Sequence, residues 1–219
     1  MVNQVHPDTL TDDPARHETI VAEGVSFEDF LKRYAEQHAE WLMGKVILGG
    51  SNNRPHQRIQ MFLGTLVNLF LNLTGLGEVL SAGTPMLIHA DRPAREPDLM
   101  VVLVEHRDRI RENWLEGPAD IAVEIVSPES TIRDRGDKFK EYQESGVAEY
   151  WLIDPVHRDA DFWALNAEGS YEPRPRDAQG RLTSAVLPGF ALDPALLWDD
   201  ANLYRVNLSE LVQQMLIDS

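Results

Sequence analysis

Two carboxylates stand at unusual places in this sequence. Asp98 follows Pro97 and opens the apolar run LMVVLV, and Glu124 lies inside the run IAVEIV. A charged glutamate in so apolar a strand is costly unless it is paired or holds a cation. One reading is therefore an ion pair with a buried Arg or Lys, and the other is a metal ligand. Asp134, Lys138 and Tyr142 follow at i, i+4 and i+8, which on a helix is one stripe roughly 80° wide. A strand-to-helix crossover would fold that stripe over the sheet end bearing Glu124, so that an Asp, a Glu and a Lys meet. Carboxylates in such a set suit Mg²⁺ (or Mn²⁺), hard cations that take oxygen ligands. A bound ion acidifies a water and screens a phosphate. The lysine would orient or deprotonate that water, or stabilise the charge that develops in the transition state. The chemistry such a set serves is phosphodiester cleavage.

Each residue also has a plainer reading. Asp134 forms a T-x-x-D capping pattern with Thr131. Taken alone, Lys138 reads as a solvated surface lysine and Tyr142 as a half-buried packing residue. His56 sits at a helix start, where a cap or surface group is the simple reading and a phosphate donor the functional one. Ser127 precedes Pro128 without a G-x-S-x-G pattern, so a serine nucleophile is disfavoured. The seven histidines show no H-E-x-x-H spacing, and no Gly-rich phosphate loop is present.

The elements that would position these residues follow from periodicity. Ser26 caps a helix expected over residues 27–38, with Phe27, Phe30, Leu31 and Tyr34 on one face. Residues 40–50 read as a turn and a strand. Ile59, Phe62, Leu66, Leu69, Phe70 and Leu73 predict a long amphipathic helix ended by Gly75 and Gly77. Short apolar runs at 78–81, 84–89, 98–104, 121–126, 150–153 and 161–165 then predict one mixed sheet. A helix is expected over 132–145, a hairpin and loop region over 166–193, and a last amphipathic helix over 208–217. Trp151 reads as core.

Composition bounds the rest. The 219 residues suit a single domain over residues 21–219 behind a flexible tail at 1–20. With 43% hydrophobic residues a sizeable core is available. The chain has no cysteine, which excludes disulfides, thiolate metal sites and thiol nucleophiles. Nothing reads as a signal peptide or membrane span, so a cytoplasmic protein with no membrane partner is expected. The net charge of −16 argues against tight non-specific binding of nucleic acid by a lone subunit.

The stretch EPDLMVV, followed by GPADIAVEIVSPESTIRDRGDKFKEYQESGVAEYWLIDP, closely resembles the Uma2 family of restriction-endonuclease-like proteins, also described as a domain of unknown function. Upstream, EWLMGKVIL, PHQ and GTPMLIHADRPAREPD are similar to further family segments. The resemblance implies an α/β fold of the PD-(D/E)XK kind, with a restriction-endonuclease-like core and a mixed central sheet flanked by helices. It implies Asp98 and Glu124 as metal ligands. The lysine usual two residues after the Glu is Val126 here, and Lys138 of the following helix is implied as its substitute. Glu40 would correspond to an extra acid that some members of the wider fold carry on their first helix, an exposed turn acid being its plainer reading. The implied activity is a Mg²⁺-dependent DNA endonuclease with nucleic acid as substrate. The alternatives are a catalytically silent interaction module and a phosphodiesterase acting on RNA or small nucleotides. A homodimer is expected, because enzymes that cut duplexes often pair two centres.

Overall fold

The computed structural model of the chain describes residues 19–49, 53–89, 91–127, 133–199 and 205–218. Strand β1 (Thr19–Ala22) begins inside the expected tail, and residues 1–18 lie outside the described set. Ser26 does cap helix α1 (Phe27–Arg33), its hydroxyl accepting from the Asp29 N–H. This helix is shorter than the periodicity suggests, because a 3₁₀ turn at Ala35–Gln37 and a left-handed His38 redirect the chain. The region expected to hold one turn and one strand is a hairpin of β2 (Ala39–Leu42) and β3 (Lys45–Leu48).

Helix α2 (Arg54–Thr74) starts with Asn53 accepting from the His56 N–H and ends at Gly75, whose φ of 70° suits glycine. It buries Ile59, Phe62, Leu66 and Phe70 as the periodicity predicts, while Leu73 faces solvent. Strands β4 (Gly77–Ser81), β5 (Met86–Leu87), β6 (Ala94–Arg95), β7 (Leu99–Leu103), β8 (Leu115–Glu116) and β9 (Ile121–Ile125) follow. A π-type turn at Arg133–Asp137 runs into α3 (Lys138–Glu144). The expected single helix over 132–145 is thus a wide turn and a short helix, and Thr131 of the capping pattern lies outside the described residues. Strands β10 (Glu149–Asp154), β11 (Asp159–Leu165) and β12 (Tyr171–Pro173) form a meander. The hairpin β13 (Leu182–Thr183) and β14 (Ala191–Leu192), the short helix α4 (Ala195–Trp198) and helix α5 (Leu208–Asp218) complete the fold.

The apolar runs do not share one sheet. The central mixed sheet has the order β12-β11-β10-β9-β7-β4, with β9 and β10 parallel and the other pairs antiparallel. The run at 84–89 instead supplies β5 to a second sheet, β1-β3-β2-β6-β5-β8. Strands of two residues carry no period, so this sheet was not readable from alternation.

Side chains alternate across the central sheet. Leu99, Val101, Ile121, Val123, Ile125, Trp151 and Ile153 join the core under α2 and α5. Met100, Val102, Ala122, Val126, Tyr150 and Leu152 join Tyr142 of α3 in a core on the opposite side. Both faces of β9 are therefore covered, which explains its continuous apolar run. Glu124 falls on the α3 side. No described helix is long and apolar enough to cross a membrane.

Candidate active site

Alternation on β9 aims Glu124 at α3, where it is buried. Its Oε1 takes two donors, Lys138 Nζ at 2.9 Å and the Tyr142 hydroxyl at 2.7 Å. Burial pushes the Glu124 carboxyl up, to about 8; Lys138 pulls the other way, and the charges of Asp134, Asp98 and Glu40 add to the push. Burial and then the Glu124 charge raise the Tyr142 phenol well above its ordinary range, which keeps it a hydrogen-bond donor.

Lys138 is 3% exposed, far from the solvated lysine its type suggests. Its ammonium lies 3.0 Å from Glu40 Oε1 and 3.4 Å from Asp134 Oδ1, besides its contact with Glu124. The π-type turn sets Asp134 and Lys138 one turn apart above the end of β9, and the Tyr150 hydroxyl donates to the Asp134 carbonyl to hold that turn. Glu40 is neither exposed nor on a helix: it is buried on β2. Trp41 pairs with Ala94 in the antiparallel β2–β6 ladder, so the register brings Arg95 opposite Glu40. Arg95 Nη1 donates to Glu40 Oε2 at 2.7 Å, and its other nitrogens form a fork on Glu141 at 2.7 and 2.9 Å.

Asp98 sits one residue before β7. Leu99 pairs with Val123, so one further step of the register sets Asp98 opposite Glu124. Its Oδ2 accepts from the Ile125 N–H at 2.7 Å and lies 3.1 Å from His56 Nε2. His56 is buried at the start of α2, so the surface reading is incorrect; its remaining nitrogen, Nδ1, has no hydrogen-bond partner among the described residues. Ser127 is buried just past β9.

The fold thus brings Glu40, Glu124, Asp134, Lys138 and Tyr142 into one buried network, with Asp98 and His56 beside it. Sequence reasoning missed Arg95 and Glu141. The signal available was an arginine directly before Glu96-Pro97-Asp98, but its partner on β2 becomes visible only once the strands are paired.

Two residues before Asp98, Glu96 Oε1 accepts from the Gly83 N–H and lies 3.0 Å from His38 Nδ1. Burial raises the Glu96 carboxyl, the Gly83 N–H and His38 oppose the shift, and the charge of Glu40 adds to it.

Whether this network suits a divalent ion is decided by its charge and its remaining oxygens. Among the described residues, Glu40, Glu124, Asp134 and Glu141 gather around the buried cations Lys138 and Arg95, and Asp98 pairs with His56. The hydrogen bonds of Asp98 fall on Oδ2 and those of Glu124 on Oε1. Asp98 Oδ1 and Glu124 Oε2 carry none among the described residues. No three His, Asp or Glu side chains among those residues form a metal-holding group. An ion bound there would have two carboxylate oxygens from the chain and would keep several waters.

The family model described as "Uma2: Putative restriction endonuclease" matches residues 27–195. The uncharacterized protein slr1290 of Synechocystis sp. is 26% identical over 174 residues, spanning 77% of this chain and 90% of that protein. The crystal structure of "a putative nuclease belonging to DUF820" from Anabaena variabilis matches with a TM-score of 0.66 over 80% of this chain and 97% of that one, at 17% identity. At that identity the likeness is one of fold.

Proposed function

Because this chain belongs to the Uma2 family, described as restriction-endonuclease-like, we propose that it is a Mg²⁺-dependent endonuclease that hydrolyses phosphodiester bonds in DNA. The observation that carries this reading is that Asp98 and Glu124 stand opposite one another beside Lys138, each with its hydrogen bonds on one oxygen and the other oxygen left for a cation. Asp98 and Glu124 would hold the ion. When bound, it supplies an acidified water and screens the charge of the phosphate.

The chain's own residues do the positioning. Tyr142 fixes the Glu124 rotamer through Oε1, and the Ile125 N–H and His56 fix Asp98 through Oδ2. Glu40 and Asp134 hold Lys138 independently of Glu124, so the ammonium keeps its place if its contact with Glu124 is given up. An ammonium in contact with three carboxylates is a donor. Lys138 is therefore assigned to orient the attacking water and stabilise charge at the phosphate, and not to remove a proton. Arg95 ties Glu40 to Glu141 of α3 and so fixes the far wall. A two-fold dimer, pairing two such centres, would suit duplex cleavage.

The test uses the purified full chain with plasmid, single-stranded and duplex DNA, each in EDTA, Mg²⁺ and Mn²⁺. Cleavage that needs the divalent ion and disappears in Asp98→Asn and Glu124→Gln is expected. Cleavage of RNA or of small cyclic or dinucleotide phosphodiesters alone would move the reading to those substrates. No cleavage of any of them, with unchanged Mg²⁺ binding in both variants, would leave a silent scaffold.

A further inference from the structure

His38 stands in the left-handed region, with φ 50° and ψ 61°. A non-glycine residue there is strained, and such strain persists only where its surroundings enforce it. Its imidazole is 57% exposed, yet Nδ1 is held at 3.0 Å by Glu96, whose side chain is 4% exposed. The Gly83 N–H binds the same oxygen, Oε1, and the other carboxylate oxygen, Oε2, is buried without a hydrogen-bond partner among the described residues. A buried carboxylate with an unsatisfied oxygen is a second cost at the same spot. The strained backbone and the buried acid together fix the direction of one exposed imidazole.

Along the chain, each member of the dyad stands two residues before an acid of the candidate site. His38 is two residues before Glu40, which binds Lys138 and Arg95. Glu96 is two residues before Asp98 and directly follows Arg95. The cations inside the site are buried and engaged by carboxylates, so a phosphate approaching a chain of net charge −16 needs an exposed donor. With Nδ1 turned to Glu96, Nε2 is the ring nitrogen that points away from the acid.

We propose that His38, oriented by Glu96, is a substrate-contacting residue that donates from Nε2 to a phosphate oxygen of the strand bound at this site. The proposal rests on the nuclease reading for the identity of that strand. Glu96 is a positioning residue, because it acts through His38. The described group that faces the His38 ring is Glu96, and no other charged side chain is in contact with it among the described residues.

The experiment measures binding of a fluorescein-labelled twelve-residue thymidine oligonucleotide with phosphorothioate linkages, in Ca²⁺, at pH 6 and pH 8. It also follows the His38 ring proton by NMR during the same titration. His38→Asn tolerates the left-handed backbone and loses the outward donor, so it should bind about tenfold more weakly at pH 6, which is about 1.4 kcal/mol. His38→Arg should bind within about threefold of the wild type, and His38→Asn should reduce the salt slope by about one. Glu96→Gln should weaken binding less, and its His38 proton should move less on titration. Wild-type binding equal to that of His38→Asn, an unmoved His38 proton, or no binding by the wild type would each overturn the proposal. Metal-dependent cleavage is scored separately. A His38 proton that moves in a protein that cuts nothing removes the nuclease reading and keeps the contact; cleavage with unchanged KM in His38→Asn removes the contact and keeps the nuclease.

Discussion

The Lys138 ammonium lies 2.9 Å from Glu124 Oε1 in a site where both side chains are almost fully buried. Breaking a buried ion pair by removing one partner leaves an uncompensated charge, a loss of about 3–5 kcal/mol. Lys138→Met should therefore lower stability by that amount in EDTA at pH 9, above the Glu124 value of about 8, measured by urea denaturation. Mg²⁺ should recover more stability in this variant than in the wild type, because the acids left behind gain a cation. The rate of cleavage should fall about 10²–10³-fold with the loss of the donor. Lys138→Arg should not restore it, since a guanidinium fork does not fit a space enclosed by three carboxylates. Wild-type stability in EDTA for the Met variant would refute the role of the lysine as the internal counter-charge.

Glu124 predicts how the metal-free protein responds to pH. Burial holds its carboxyl at about 8 in the folded chain, against about 4.3 for a solvated glutamate. Between these values the folded state binds a proton that the unfolded state does not. The stability linked to this group is fully present below the unfolded value and is lost as pH rises through about 8. In EDTA the urea midpoint should therefore fall from pH 5 to pH 9, and Glu124→Gln should flatten that decline. Parallel pH curves for the two proteins would show that Glu124 carries no such proton.

Much of this site was legible from the sequence because its anomaly is local. A glutamate inside IAVEIV is costly wherever the strand goes, and the period of α2 fixed the helix that covers one face of that strand. What escaped depends on pairing. Lys138 and His56 belong to types that ordinarily meet water, and their burial follows only from the acids gathered around them. Arg95 sits on a two-residue strand with no period of its own, and its position opposite Glu40 follows from the Trp41–Ala94 register. The second sheet escaped for the same reason, since β5, β6 and β8 are each two residues long.

Arg95 should be the structural tie most sensitive to side-chain shape. Its guanidinium joins Glu40 of the second sheet to Glu141 of α3 with three charge-assisted hydrogen bonds. Arg95→Met leaves both acids without this partner and should cost about 3–5 kcal/mol. Arg95→Lys keeps the charge but not the fork, so an intermediate loss is expected. In a double-mutant cycle with Glu141→Gln the two losses should fail to add by about 0.5–3 kcal/mol, the range for residues in one network. Additive losses would mean that the fork does not couple the two elements.

The turn that presents Asp134 and Lys138 is anchored at the end of β10 by Asp154. Its Oδ1 accepts from the Val156 and His157 N–H groups, and its Oδ2 lies 2.9 Å from both Arg135 Nη2 and His157 Nδ1. Burial pushes the Asp154 carboxyl up, but the His157 N–H, the Arg135 guanidinium and the His157 ring outweigh it and hold the carboxyl at about 2. An acid depressed in this way contributes stability that is present above its unfolded value of about 3.9 and lost as pH falls through about 2. Asp154→Asn keeps an acceptor for the backbone N–H groups and loses the charge facing Arg135. It should destabilise the protein by about 1–3 kcal/mol at pH 7, and the difference from the wild type should shrink as pH falls from 4 towards 2. Because Arg135 is the neighbour of Asp134, freeing it loosens the turn that carries Lys138. The variant should therefore also lose cleavage rate at pH 7 with KM little changed. A difference in stability that stays constant from pH 7 to pH 2 would show that the Asp154 charge does not hold this turn.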